Sequence, residues 1–265
     1  MTANNRGKGT DVHFFEIDES FTSPAVILVE PQLGENIGTA ARAMLNFGLT
    51  DLRLVRPRIG WKNDNAFAAA SGAKRVLTEA RLFETTEAAI ANLHNVYAST
   101  GRPRDMIQRT ISPSSAGRAM RIDALSGASS GVLFGPERSG LTNEDLSLAE
   151  AVITVPANSA FKSLNLAMAV LLIGYEWFVQ PDQSSDPGAL EMAGTRSASK
   201  SELQGFFDHL EGALDDCGFL RVQEMRPHMV RNIRNIFQRA QLTEQEVRTL
   251  RGIVSGLVSH ASSIR

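Results

Sequence analysis

The chain has 265 residues, 43% hydrophobic and 21% charged, which suits one large domain or a domain with a small companion and excludes global disorder. Its formal charge of −2 excludes a global basic field, so any contact with nucleic acid must come from local clustering of arginine and lysine. The single cysteine, Cys217, excludes an intrachain disulfide and a multi-cysteine zinc site, and the five histidines show no ligand spacing, so no metal is expected.

Residues 1–22 are polar and aperiodic and read as a flexible leader, without the apolar stretch of a signal peptide. Ala25–Glu30 (AVILVE) is a short apolar run of the kind that forms a buried strand. A loop, Pro31–Glu35, leads to a helix predicted from Asn36 or Ile37 to about Phe47, with Asn36 as N-cap and Gly48 just past the end. Ile37, Ala40, Ala41, Met44 and Leu45 make its apolar stripe. Arg42 lies off that stripe. A solvated charge is the plain reading of a lone helix arginine, but its company with Asn36, near the carboxyl end of a strand, makes it a site candidate. Leu52–Arg56 is a second strand, and strand–helix–strand over this length implies a parallel pair.

Residues 65–77 are Ala-rich and predict one helix with a weak point at Gly72; Thr85–Leu93 predicts another, capped by Thr85 or Thr86. Asn95–Ser99 is a third strand, which runs into Thr100-Gly101-Arg102-Pro103-Arg104-Asp105. Arg102 and Arg104 suit either a phosphate contact or surface decoration. One more helix is expected within residues 111–129.

The next stretch, Ser130–Val179, organises the rest. A strand, Gly131–Phe134, ends in the turn Gly135–Leu141; Thr142 caps a helix with Glu144 and Asp145 in its first turn. A fifth strand, Ala151–Val155, stops at Pro156, and the polar loop after it ends in Lys162-Ser163-Leu164-Asn165. The helix Leu166–Val179 is the longest apolar run; it is too short to cross a bilayer and contains Glu176, so a soluble, cytoplasmic protein is expected. Three polar loops, Ser99–Arg104, Gly135–Gly140 and Pro156–Asn165, thus lie at carboxyl ends of strands, where open α/β sheets bind ligands.

Residues 181–199, rich in Ser, Pro, Gly and Ala, read as a linker. Lys200–Phe219 reads as a helix, and Arg221, Arg226, Arg231, Arg234 and Arg239 follow, interleaved with apolar residues. A basic face for phosphates and a solvated side of an amphipathic helix are both compatible with this pattern. Thr243–Glu246 forms a capping box for a last helix. No dinucleotide fingerprint, P-loop or nucleophile elbow occurs. The residues alone therefore reach an α/β protein with a ligand crevice and a basic helical appendage.

Three blocks carry a resemblance: Pro24–Pro57 (PAVILVEPQLGENIGTAARAMLNFGLTDLRLVRP), Leu133–Leu146 (LFGPERSGLTNEDL) and Val155–Glu176 (VPANSAFKSLNLAMAVLLIGYE). The sequence resembles the SPOUT-superfamily RNA 2′-O-ribose methyltransferases of the TrmH/TrmJ type, most closely the TrmJ branch. The Arg-rich C-terminal region, with Leu250-Arg251-Gly252, is similar to the extension of that branch.

The resemblance implies an α/β SPOUT fold over residues 23–180, with a parallel sheet and a C-terminal trefoil knot, and a helical tRNA-binding extension over residues 200–265. Threaded chains are rare. It implies S-adenosylmethionine, held largely by backbone groups of Ser99, Thr100, Gly101, Gly135, Val155, Lys162, Ser163 and Leu164. It implies a homodimer packed through the helices Leu166–Val179 and Asn36–Phe47. Arg42 matches the family's catalytic arginine and Asn36 its partner; Arg102 and Ser163 match further catalytic positions. Glu137 and Arg138 match the second block. Arg138, Arg104, Arg226, Arg231 and Arg234 are the implied RNA contacts.

The implied reaction is methylation of the ribose at nucleotide 32, C or U, in the tRNA anticodon loop. A guanidinium gives up its proton only above about pH 12, so Arg42 is expected to orient a phosphate and stabilise the oxyanion, with a substrate phosphate or Ser163 taking the proton. The competing readings are another tRNA position or ribosomal RNA, a noncatalytic RNA-binding protein on the same scaffold, and an α/β small-molecule binder.

Overall fold

The computed structural model describes residues 22–101, 108–180 and 195–263. Seven strands form one sheet: β1 (Ala25–Val29), β2 (Leu52–Val55), β3 (Arg81–Phe83), β4 (Asn95–Ser99), β5 (Arg109–Ile111), β6 (Ser130–Phe134) and β7 (Ala151–Ile153). Every pairing is parallel, in the order β3-β2-β1-β6-β4-β7-β5. Five of these strands follow the apolar runs in the sequence. The two edge strands, β3 and β5, do not: each has three residues, two of them exposed, so neither leaves an apolar run to read.

The helices are α1 (Gly34–Asn46), α2 (Asp64–Ala69), α3 (Lys74–Thr78), α4 (Thr86–Ile90), α5 (Pro113–Leu125), α6 (Asn143–Leu146), α7 (Leu166–Phe178), α8 (Lys200–Asp216), α9 (Arg226–Arg239) and α10 (Glu244–Ser263). The single helix expected over 65–77 is two short ones joined by a 3₁₀ turn, Ser71–Ala73, with Ser71 at φ 51°. Asn36 does not cap α1: the helix starts at Gly34, and Asn36 sits in its first turn. Gly48, at φ 71°, ends it as expected, because a left-handed position there costs glycine nothing.

Strand alternation splits the core into two layers. Val26, Leu28, Tyr97, Val132, Phe134, Ala151 and Ile153 face α1, α5 and α7; Ala25, Ile27, Val96, Ala98, Leu133 and Val152 face the opposite side. A third, smaller cluster, centred on Leu203, Phe206, Phe207 and Val247, holds α8 to α10 together. Among the described residues no helix is long and apolar enough to cross a membrane.

Candidate active site

Strands β6, β4 and β7 are neighbours in the middle of the sheet. Because all run in one direction, their carboxyl ends reach the same edge, and three loops far apart in sequence meet there. They enclose a cavity of about 370 Å³ lined by Ser99, Thr100 and Gly101 after β4, Gly135 to Glu137 and Gly140 after β6, and Val155, Ser159 and Lys162 to Leu164 after β7; Leu166 and Ala169 of α7 form one wall. All eight residues expected at a cofactor lie on this one cavity.

The loops touch through backbone. A Cβ added to Gly135 would stand 2.2 Å from the amide nitrogen of Leu141, and one on Gly101 would stand 3.0 Å from the carbonyl oxygen of Lys162. The turn after β6 therefore closes on itself only with glycine at its first position.

A hydrogen-bonded chain ties the three sequence blocks together at the rim. Asn165 Nδ2 donates to Asn36 Oδ1 at 3.0 Å, and Asn36 Nδ2 donates to Glu137 Oε1 at 2.8 Å. Glu137 also accepts from the amides of Gln32, at 2.9 Å, and Leu33, at 3.3 Å. Leu33, the residue before α1, has no side chain to cap the helix, so a carboxylate from a distant loop does it instead and meets the positive end of the helix dipole. Asn165 Oδ1 caps α7, accepting from the Ala167 amide at 2.9 Å. The sequence reading gave Glu137 only a family match and Asn165 no role. No sequence signal marked this contact, because Asn36 read as the helix cap and only the start of α1 at Gly34 leaves that end without a side-chain cap.

The remaining candidates divide. Ser163 and Lys162 are exposed on the cavity. Arg42 is exposed on the outer stripe of α1 and does not line the cavity of its own chain; among the described residues it has no hydrogen-bond or ion-pair partner. Arg138 is exposed in the turn after β6. Arg102 and Arg104 lie outside the described residues. No group of three or more His, Cys, Asp or Glu able to hold a metal occurs among the described residues.

Three of the four arginines of α9 are engaged by carboxylates, while the exposed Arg239 meets, among the described residues, only the Asn235 carbonyl. Arg226 pairs with Asp215 at 2.7 Å, Arg231 with Glu144 at 3.1 Å, and Arg234 with Glu211 at 2.7 Å while stacking 5.4 Å from the Phe207 ring. The hydrogen bond from Arg226 holds the Asp215 carboxyl below its usual range. The first two pairs are partly exposed, with the Glu144 side chain 77% exposed, and exposed pairs exchange readily for a stronger anion such as phosphate. Arg234, a fifth exposed and stacked, is part of the packing of its module.

Comparison with known proteins adds the following. Residues 23–175 match the SpoU rRNA Methylase family, and residues 201–263 match the C-terminal domain of the tRNA methyltransferase TrmJ. The chain is similar to a tRNA (cytidine/uridine-2′-O-)-methyltransferase TrmJ of Photorhabdus laumondii, 34% identical over 88% of this chain and 95% of that one. It is 32% identical to a tRNA (cytidine/uridine/adenosine-2′-O-)-methyltransferase TrmJ of Pseudomonas aeruginosa, over 87% of this chain and 91% of that one. The crystal structure of TrmJ from Z. mobilis ZM4 superposes with a TM-score of 0.81 at 45% identity, over 89% of this chain and 99% of that one.

Proposed function

We propose, from the premise that the chain belongs to the SpoU rRNA methylase family and to the TrmJ-type enzymes within it, that it methylates the ribose 2′-hydroxyl of nucleotide 32, C or U, in the anticodon loop of tRNA. S-adenosylmethionine is the methyl donor, and the site of action is the cytoplasm. The observation that carries the reading is the meeting of the second and third family blocks on one cavity, with the first block tied to its rim through Asn36, which bonds both Glu137 and Asn165.

The cavity suits that donor. Its volume of about 370 Å³ falls in the range of small-molecule sites, its walls mix the apolar Val155, Leu164 and Leu166 with the hydroxyls of Ser99, Thr100 and Ser163, and Gly135 allows close approach of backbone. Bound there, S-adenosylmethionine supplies an electron-poor methyl group on a sulfonium. The chain's own groups do the rest. The turns after β4, β6 and β7 bind it and exclude water. Arg42 stays a cation, orients a substrate phosphate and stabilises the charge that develops on the ribose oxygen. A phosphate of the substrate takes the hydroxyl proton, directly or relayed through Ser163, which passes its own proton on as it accepts. On this reading residues 130–179 are threaded as the family's trefoil knot.

The same reading makes the protein a homodimer. Met168, Leu171, Tyr175 and Val179 form a stripe on the outer side of α7, 39 to 63% exposed in the single chain. Their spacing is that of a helix face meant for another surface. Pairing of two copies through α7 and α1 covers this stripe and brings the exposed Arg42 beside the second copy's cavity.

The test is transfer of labelled methyl from S-adenosylmethionine to total tRNA, followed by mapping of the modified nucleotide. A 2′-O-methyl group at nucleotide 32 is expected; a label elsewhere in tRNA, or confined to ribosomal RNA, overturns the assignment. The P. aeruginosa relative, whose name includes adenosine, makes A32 substrates the useful comparison for base tolerance.

A further inference from the structure

The edge of the sheet opposite the cavity holds a buried charge pair that the chemistry above does not use. Glu150 and Lys200 are each only 5% exposed. Lys200 Nζ bonds Glu150 Oε1 and also donates to Gln238 Oε1 at 2.8 Å. The second carboxylate oxygen of Glu150 accepts from the Val96 amide at 2.5 Å. Two backbone hydrogen bonds reinforce the contact, from Lys200 N to Leu93 O at 2.9 Å and from Ser201 N to Ala91 O at 3.2 Å.

Four parts of the molecule thus converge on one charge pair. Glu150 immediately precedes β7, and Val96 is the second residue of β4; the tips of these two strands lead into the cavity at Val155 and Ser99. Lys200 opens α8, and Gln238 lies on α9, the helix of Arg226 and Arg231. Farther along α9, Arg231 reaches Glu144 of α6, which follows the turn after β6.

Adhesion alone does not call for such a pair. Desolvating two charges offsets most of their attraction, and apolar side chains of the same volume hold two surfaces together at least as well. What a buried, fully bonded pair adds is register: it satisfies its partners in one docking geometry and leaves an uncompensated charge in any other.

We propose that the Glu150–Lys200 pair is an orientation latch, which fixes the arginine-bearing α9 at one distance from the cavity and makes Glu150 and Lys200 positioning residues for the RNA substrate. This rests on the reading of the helical module as the part that holds tRNA.

The full-length protein offers a direct probe, because Cys217 is its single cysteine and is exposed. Spin labels on Cys217 and on an introduced Lys74→Cys report the spread of distances between module and sheet. The double substitution Glu150→Gln with Lys200→Met removes both charges together and leaves neither stranded. It is expected to keep parental cofactor affinity and kcat, to broaden the label distance, and to raise the KM for tRNA about tenfold, as expected when a docked module becomes a tethered one. Should the double variant not fold, Glu150→Asp keeps the charge, shortens the reach, and is expected to shift the mean distance and raise KM in the same direction. A label distance as narrow as the parent's overturns the latch. A broadened distance with unchanged KM overturns the positioning role. The reading beneath it is judged separately: Arg226→Gln with Arg231→Gln must weaken tRNA binding, and unchanged affinity there removes the RNA role of the module whatever the labels show.

Discussion

At the scale of single residues, Asp123 gives the molecule a pH dependence of its own. Its carboxyl accepts from Asn95 Nδ2 at 2.8 Å and from the Tyr97 hydroxyl at 3.3 Å. Burial pushes it up to about 7, from an ordinary value of 3.8, against the opposing pull of those two donors. The unfolded chain loses this proton near pH 4, whereas the folded one keeps it until about pH 7. The folded state therefore binds the extra proton between these values, and this contribution to stability, full below pH 4, is lost as pH rises to 7, at a rate of up to about 1.4 kcal/mol per unit. Asp123→Asn is expected to flatten that part of the curve and to raise the Tm at neutral pH; thermal unfolding from pH 4 to 8 measures it. Arg42→Ala is expected to leave S-adenosylmethionine affinity unchanged and to lower single-turnover methyl transfer about 100- to 1,000-fold, the usual effect of losing one donor to a developing oxyanion. A near-parental rate dismisses the role given to Arg42. The cavity residues were legible in the sequence because polar turns after apolar runs mark strand tips. The work of Glu137 was not, because its partners Gln32 and Leu33 lie more than a hundred positions away, at separations of 105 and 104 residues.

At the scale of elements, the turn after β6 is the part with least tolerance. A methyl on Gly135 meets the backbone of Gly140 and Leu141 at 2.4 and 2.2 Å, and backbone has nowhere to retreat. Gly135→Ala is expected to displace the turn, to drag Glu137 off the start of α1, and to weaken cofactor binding at least about tenfold, within the range of a few kcal/mol that such strain commonly costs. Isothermal titration, with circular dichroism as a check that the fold persists, reads both effects. The strong elements were visible beforehand: α1 from its stripe, α7 from its long apolar run, α6 and α10 from Thr142 and Thr243, whose capping boxes both form. The weak ones were not. Arg81–Phe83 and Arg109–Ile111 become strands because β2 and β7 offer them an edge, so tertiary pairing rather than local preference decides their state. The split of the 65–77 helix likewise follows the left-handed backbone of Ser71 and not its Ala-rich composition.

At the scale of the whole molecule, the strand order is the main thing that a run of apolar segments cannot tell. The sequence supports a parallel βαβ start, but nothing local says that β6 enters between β1 and β4. That insertion brings three polar loops to one place. The arginines of α9 carry a second lesson, because their spacing left a phosphate-binding face and a solvated side both open, and in the structure Asp215, Glu144 and Glu211 pair with three of them. On the proposal that this module holds tRNA, RNA displaces the exposed carboxylates, so binding is expected to fall steeply with salt, and each lost phosphate contact should reduce the log–log slope by about 1. Removing residues 181–265 is expected to lower tRNA affinity, measured by filter binding across a salt series. The truncation needs Glu150→Gln beside it, since the deletion takes away Lys200 and strands a buried carboxylate.

The place of β6 also sets an order of events during synthesis. Val26 pairs with Leu52 on one side and with Val132 on the other. A nascent chain can complete the first pairing early, but the other flank of β1 stays bare until Phe134 has cleared the ribosome. Until then the emerging half presents a flat row of amides and carbonyls beside apolar side chains, the feature by which half-made sheets recruit chaperones or stick to one another.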